Sequence, residues 1–241
     1  MQPHSHAEID TRITRVSVPD QVFASVCEAI LTGRYAPGER LPAQRELARE
    51  YGVNLTTVRE AVKRLEQLKL VDVRHGSAMR VRDWRRHGSL DLIAHALLRA
   101  GHLDREMLEQ VLEARRVLLS QSAALAAGRA TPGQAERLTE LAVRVAGEPD
   151  GAIAQQLDFA FYEELVEIAG NIVFSLIMNS VRDLYLAGAA LYRGVIANRD
   201  RLAPLYAEIS DAVAAGDSER ARAAAYELAF TQERQLLDAF K

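Results

Sequence analysis

The chain has 241 residues, 49% of them hydrophobic and 26% charged, with a formal charge of −3 and a single cysteine. It is too hydrophobic and too weakly charged to be disordered overall. One cysteine excludes an intramolecular disulfide and points to a reducing compartment. The apolar runs fall short of a membrane span, and the opening MQPHSHAEIDTRITR lacks the apolar core of a signal peptide. A cytoplasmic protein with no membrane partner is therefore expected.

The charge is unevenly divided. Residues 1–86 carry 15 Lys and Arg against 11 Asp and Glu, a net +4, whereas the remainder carries 15 against 22, a net −7. A basic first part joined to an acidic second part implies two tasks, with any polyanion handled by the first.

Residues 1–17 are polar and unpatterned, as in a disordered tail. From Pro19, Val22, Val26, Ile30 and Leu31 recur on one helical face until Gly33. RYAPGERLP follows as a turn-rich connection. A short helix over AQRELAREY stops at Gly52, and a longer one runs through LTTVREAVKRLEQLKL. Two β-like pieces, VDVR and MRVRD, then flank HGSA as a small hairpin. Beyond Ser89 the pattern is helical, with candidate helices over 89–100, 104–129, 132–146, 150–169, 172–197, 200–215 and 217–240. The breaks fall at capping residues such as Gly101, Pro132-Gly133, Gly170-Asn171 and Gly216-Asp217. The expected fold is mainly α. An N-terminal winged helix-turn-helix unit with a β-hairpin wing occupies 18–83, a linker 84–88, and an all-α bundle of about seven helices 89–241.

A short helix, a Gly-containing turn and a longer second helix form a helix-turn-helix over 43–69. Asn54 suits the N-cap, with Val53 and Val58 as the flanking apolar pair. Thr56, Thr57 and Arg59 open the second helix, where hydroxyls, free N–H groups and the dipole suit phosphate oxygens. Arg59 can also pair with a guanine edge. Val58, Val62 and Leu65 point to the core, so the Thr56, Arg59 and Lys63 face is free. Arg74, His75 and Gly76 form a basic hairpin tip that can lie against a minor groove.

These residues resemble the GntR family. PGERLPAQRELAREYGVNLTTVREAVKRLEQLKLVDVRHGSAMRV looks like its winged helix over about residues 20–82. The resemblance implies DNA contact through Arg45, Asn54, Thr56, Thr57, Arg59, His75 and Gly76. Leu55 stands where the family usually has arginine, so the operator preference is expected to differ. DFAFYEELVEIAGN, LYLAGAALY and ISDAVAAGDSERARAAA resemble the C-terminal domains of the FadR branch. Many relatives there hold a metal through one Asp and three His. Asp158 matches the Asp, but the His positions carry Tyr162, Tyr206 and Leu228, and no histidine follows His102. No metal and no other cofactor is expected. SLDLIAHALL, the EAR at 113–115 and two tyrosines seven apart resemble most the fatty-acid-responsive members of the branch, which implies a long-chain acyl-CoA effector. The last helix, with Thr231, Gln232 and Leu236, departs from their pattern where they meet the CoA moiety, leaving acyl-CoA and free fatty acid both open.

Within the bundle, Arg115 falls among Leu108, Val111, Leu112, Leu118 and Leu119, and Asp158 lies between Ala154 and Phe161. Charges on apolar faces are seldom buried unpaired. They either pair within the core or line an effector cavity, where Arg115 would meet a carboxylate or thioester carbonyl. Tyr185 and Tyr192, with Gly188 between them, are core tyrosines or part of the same effector site. The chain is expected to act as a homodimeric regulator on a pseudo-palindromic operator in double-stranded DNA, released by a small-molecule lipid effector. The alternative is a metal-independent sensor of a small organic acid. An enzyme is not expected: there is no nucleophile elbow, no phosphate-cradling loop and no metal cluster, and Cys27 sits on an apolar helix face.

Overall fold

A computed structural model describes residues 17–74, 78–99, 102–187 and 199–238. The chain divides into two compact units, Met1–Ser89 and Leu90–Lys241.

In the first unit, helix α1 (Val18–Leu31) opens where Ser17 Oγ accepts the Asp20 N–H at 3.3 Å, with Pro in its first turn. Its buried face is Val22, Phe23, Val26, Cys27, Ile30 and Leu31. Helix α2 (Gln44–Glu50) starts at Ala43, whose N–H is taken by the Glu46 carboxylate at 2.7 Å. The chain then turns through Gly52, at φ +64°, a left-handed conformation that glycine adopts without a Cβ clash. Helix α3 (Leu55–Gln67) is capped by Asn54, whose Oδ1 accepts the Thr57 N–H at 2.8 Å. Val58, Ala61, Val62 and Leu65 are buried, and α3 packs on α1 and α2. Each fully buried Val or Leu contributes about 1.5–3 kcal/mol. Apolar spacing alone carries this helix on to Leu70, but it ends at Gln67. Lys69 turns left-handed at φ +58°, its N–H bonds the Glu66 carbonyl at 2.9 Å, and the Leu70 N–H bonds the Leu65 carbonyl at 2.9 Å. This paired arrangement satisfies the helix's last carbonyls.

Strands β1 (Val71–Arg74) and β2 (Ala78–Val81) pair antiparallel, with Val71 opposite Val81, Asp72 opposite Arg80 and Val73 opposite Met79. The stretch expected as a plain connection joins them. The Gly38 N–H bonds the Val81 carbonyl at 2.8 Å, the Val81 N–H bonds the Glu39 carbonyl at 2.9 Å, and the Leu41 N–H bonds the Met79 carbonyl at 3.0 Å. Residues 38–41 thus line the free edge of β2. The expected linker contains one turn of helix, α4 (Trp84–His87), capped by Asp83.

The second unit begins differently from expectation. Instead of one helix over 89–100 there is a 3-10 turn (Leu90–Leu92), a short helix α5 (Ile93–Leu97) and two paired two-residue strands, β3 (Leu98–Arg99) and β4 (His102–Leu103). The Asp104 N–H closes this reversal on the Leu97 carbonyl at 2.8 Å, while the Asp104 side chain accepts the Met107 N–H at 2.9 Å to start the next helix. Then come α6 (Arg105–Ala127), α7 (Pro132–Gly147), α8 (Gly151–Ala169), α9 (Ile172–Ala187), α10 (Arg199–Ala214) and α11 (Ser218–Asp238). Helix α11 packs on α6 and α10, and α8 packs on α6, α7 and α9. One continuous core runs through Leu112, Leu119, Leu138, Phe161, Leu165, Ile209, Leu228 and Leu236. No helix among the described residues is long and apolar enough to cross a membrane.

Candidate functional site

Two sites emerge, one in each unit. In the first, the capped start of α3 presents Thr56, Arg59 and Lys63 to solvent, while α2 exposes Arg45 in its first turn. Thr57 is the expected contact that the fold turns inward. It shares the inner face with Val58 and Ala61 and is 8% exposed, and its N–H is already taken by Asn54. Asn54 is exposed and holds the helix start. On the opposite side Arg64 pairs with Asp20, and its guanidinium lies 4.1 Å over the Phe23 ring, locking α3 to α1. His75 and Gly76, the expected wing tip, lie outside the described residues. The site is an open, capped helix start carrying cations and the Thr56 hydroxyl, a geometry suited to phosphate and base edges.

The second site is at the centre of the bundle. Asp158 on α8 is 0% exposed. Its carboxylate accepts hydrogen bonds from the phenols of Tyr185 on α9 and Tyr206 on α10, and from Gln232 Nε2 on α11 at 3.0 Å. Gln232 also donates to the Tyr206 oxygen at 3.0 Å. Its Oε1 accepts from Tyr162 on α8 at 2.8 Å and from Arg115 on α6 at 2.6 Å. Arg115 stands 3.9 Å from the Asp158 carboxylate and 4.6 Å over the Tyr162 ring. A cation, a neutral amide and an anion are thus joined in one chain, with phenols bracing both ends. Burial, and then the Asp158 charge, hold the Tyr206 phenol well above its ordinary pKa, so it stays a donor. Gln155, one turn before Asp158, donates to the Tyr185 carbonyl at 2.7 Å and fixes α9 against α8. Arg115, Asp158 and Tyr185, each picked out in the sequence, are therefore brought together, whereas Tyr192 lies outside the described residues. Gln232 was not expected as a site residue. Its only signal is an amide among Ala225, Leu228, Ala229 and Leu236 on a buried face. Among the described residues no group of three or more His, Cys, Asp or Glu is placed to hold a metal ion.

Residues 19–81 match the model of the bacterial regulatory proteins of the gntR family, and residues 110–229 match the FCD domain. The chain is 38% identical over 216 residues to the HTH-type transcriptional regulator Mce2R of Mycobacterium tuberculosis, covering 90% of each chain. It is 31% identical over 160 residues to the fatty acid metabolism regulator protein of Escherichia fergusonii, covering 66% of each. A solved structure titled for Lar, which controls the Listeria monocytogenes agr system, superposes with a TM-score of 0.55 at 19% identity over 91% of this chain and 96% of that one, a likeness of fold. A basic winged helix with an open recognition helix, an FCD bundle and relatives matched over nearly their whole length lead to one conclusion: the chain belongs to the GntR family of HTH-type transcriptional regulators.

Proposed function

We propose that this regulator binds a pseudo-palindromic operator as a homodimer and releases it when a long-chain acyl-CoA or fatty acid engages the helical unit. The observation that carries the reading is a charged, fully hydrogen-bonded cluster at the centre of an otherwise apolar bundle. Arg115, whose side chain keeps 14% exposure, is the group that meets the ligand's carboxylate or thioester carbonyl. Asp158, Tyr185 and Gln232 position it. The likeness to fatty acid metabolism regulators supports the ligand class. Thr56, Arg59, Arg45 and the wing residues His75 and Gly76 make the DNA contacts, with Asn54 holding the helix start. Two copies of one reading head on a two-fold axis require a palindromic site. The ligand acts by binding the DNA-competent and DNA-incompetent states with different affinities. A cytoplasmic location follows from that task.

Sensing proceeds without a metal. At the positions where the resemblance places the histidines of metal-holding members, this chain has Tyr162, Tyr206 and Leu228. Leucine has no donor atom, the Tyr206 phenol is held away from its anionic form, and phenol and amide hydrogens already occupy the carboxylate that a cation would need. The donor set does not fit a divalent ion.

A small organic acid is the second reading, favoured by the density of polar groups around Arg115, which suits a short carboxylate. Native mass spectrometry of protein purified from cells separates the two by the mass of the co-purified ligand. A gel shift with oleoyl-CoA then tests release; no change in DNA binding with any acyl chain length refutes the lipid assignment.

A further inference from the structure

Arg40 and Arg80 face each other across the edge of the wing sheet. The hydrogen bonds flank them: Leu41 N–H to the Met79 carbonyl at 3.0 Å and Val81 N–H to the Glu39 carbonyl at 2.9 Å. They form a non-hydrogen-bonded pair, the closer of the two antiparallel placements, with Cα atoms about 4.5 Å apart. Their neighbours Leu41, Met79 and Val81 are buried on the inner face, so by strand alternation both arginines stand on the outer face, and both are exposed. Like charges directly opposite each other destabilise a sheet. Neither arginine has a carboxylate within 4.0 Å among the described residues; the Arg80 guanidinium donates to the Gly38 carbonyl at 2.8 Å. Arg40 leads into α2 and Arg45, and β2 leads back to the wing tip, so the pair lies on the two segments that connect the DNA-reading parts.

We propose that Arg40 and Arg80 form a phosphate-binding site on the outer face of the wing sheet, occupied by the sugar–phosphate backbone of the operator duplex. Asp72 stands opposite Arg80 on β1, but no ion pair within 4.0 Å joins a carboxylate to either guanidinium among the described residues, in a unit of net charge +4. A phosphate oxygen between them supplies a counter-charge in contact with both and converts a repulsive pair into a two-point clamp. The contact is blind to sequence and adds affinity rather than specificity.

The proposal rests on the DNA-binding assignment and is tested on the full chain by fluorescence anisotropy, with a random-sequence duplex titrated at several salt concentrations. Arg40→Ala is expected to flatten the slope of log K against log salt by about 1, and the Arg40→Ala/Arg80→Ala double variant by about 2. The ratio of affinities for a selected operator and the random duplex stays unchanged. Arg59→Ala serves as the control: it collapses that ratio. Arg40→Ala leaves thermal stability without DNA unchanged or slightly raised, because it relieves the like-charge pair. An unchanged slope in Arg40→Ala overturns the proposal, as does a fall in ligand-free stability with the slope intact. Absence of any duplex binding by the wild type would instead overturn the DNA-binding assignment itself.

Discussion

Replacing Asp158 with asparagine tests the central cluster with almost no change of shape. The carboxylate now accepts from two phenols and one amide, and Arg115 stands 3.9 Å away. Asparagine keeps one acceptor oxygen and puts an NH2 group where a second acceptor was, so the group on that side must turn to accept or lose its bond. Arg115 also loses its counter-charge in a site where the carboxylate side is 0% exposed. Leaving one member of a buried pair uncompensated costs about 3–5 kcal/mol, and an unpaired buried donor about 1–3 kcal/mol, two costs that overlap rather than add. At about 2–4 °C per kcal/mol for a unit of this size, Asp158→Asn lowers the melting midpoint of the helical unit by about 6–20 °C. Tyr206→Phe removes the bond donated to Asp158 and the one accepted from Gln232 but leaves the charge pair in place, and lowers it less. Scanning calorimetry or far-UV circular dichroism reads both. A midpoint for Asp158→Asn within about 2 °C of wild type would refute the claim that the carboxylate anchors the cluster.

Treatment of the wild type with a chelator leaves its melting midpoint and DNA binding unchanged, because the Asp158 cluster is satisfied by protein donors; a drop in either, restored by added zinc, would contradict this. Arg59→Ala abolishes sequence-specific binding with a melting midpoint close to wild type, since the side chain is exposed; a large stability loss would show that Arg59 is structural. Lys69→Gly relieves the left-handed φ of +58° and stabilises the N-terminal unit by about 1 kcal/mol, read by urea denaturation. Burial pushes the Cys27 thiol from 9.0 up to about 12. The unfolded chain therefore releases this proton first, and the N-terminal unit loses stability as pH rises above about 9. At neutral pH a thiol reagent labels Cys27 only at the rate of unfolding; fast labelling of the native protein would show that the first helix face is open.

The helix-turn-helix was legible because its signals are local: Asn54 before Leu55, Gly52 at the turn, and an apolar face repeating at helical spacing. The edge pairing of residues 38–41 was not, because Pro37, Gly38 and Pro42 punctuate that stretch as a turn and its partner strand lies about forty residues away. The stretch 89–100 read as helix because a short run of Leu, Ile and Ala fits both helical and extended periods, and the reversal is fixed by Asp104 beyond its end. Residue type alone sets Thr57 beside Thr56 and Arg59, whereas helical geometry places it on the inner face with Val58 and Ala61. In the bundle, Arg115 and Asp158 announced themselves as charges on apolar faces. Gln232 carries no charge, and its partners Asp158 and Arg115 are 74 and 117 residues away, so an amide on an apolar face is a weak mark of its role. In the sequence Tyr162 and Tyr206 stand out only as replacements for histidine; their role as donors to Gln232 and Asp158 arises from the packing of the bundle.

The proposed control of DNA binding by the helical unit without a metal is most directly measured as operator affinity with and without oleoyl-CoA, in the presence of a chelator. The operator is a duplex selected from random sequences by the protein itself. The expected result is a weakening of about 5- to 150-fold, the span of ordinary coupling between sites, and its loss in Arg115→Ala. An affinity indifferent to acyl-CoAs and fatty acids of every chain length, or a response that disappears with the chelator, would contradict it.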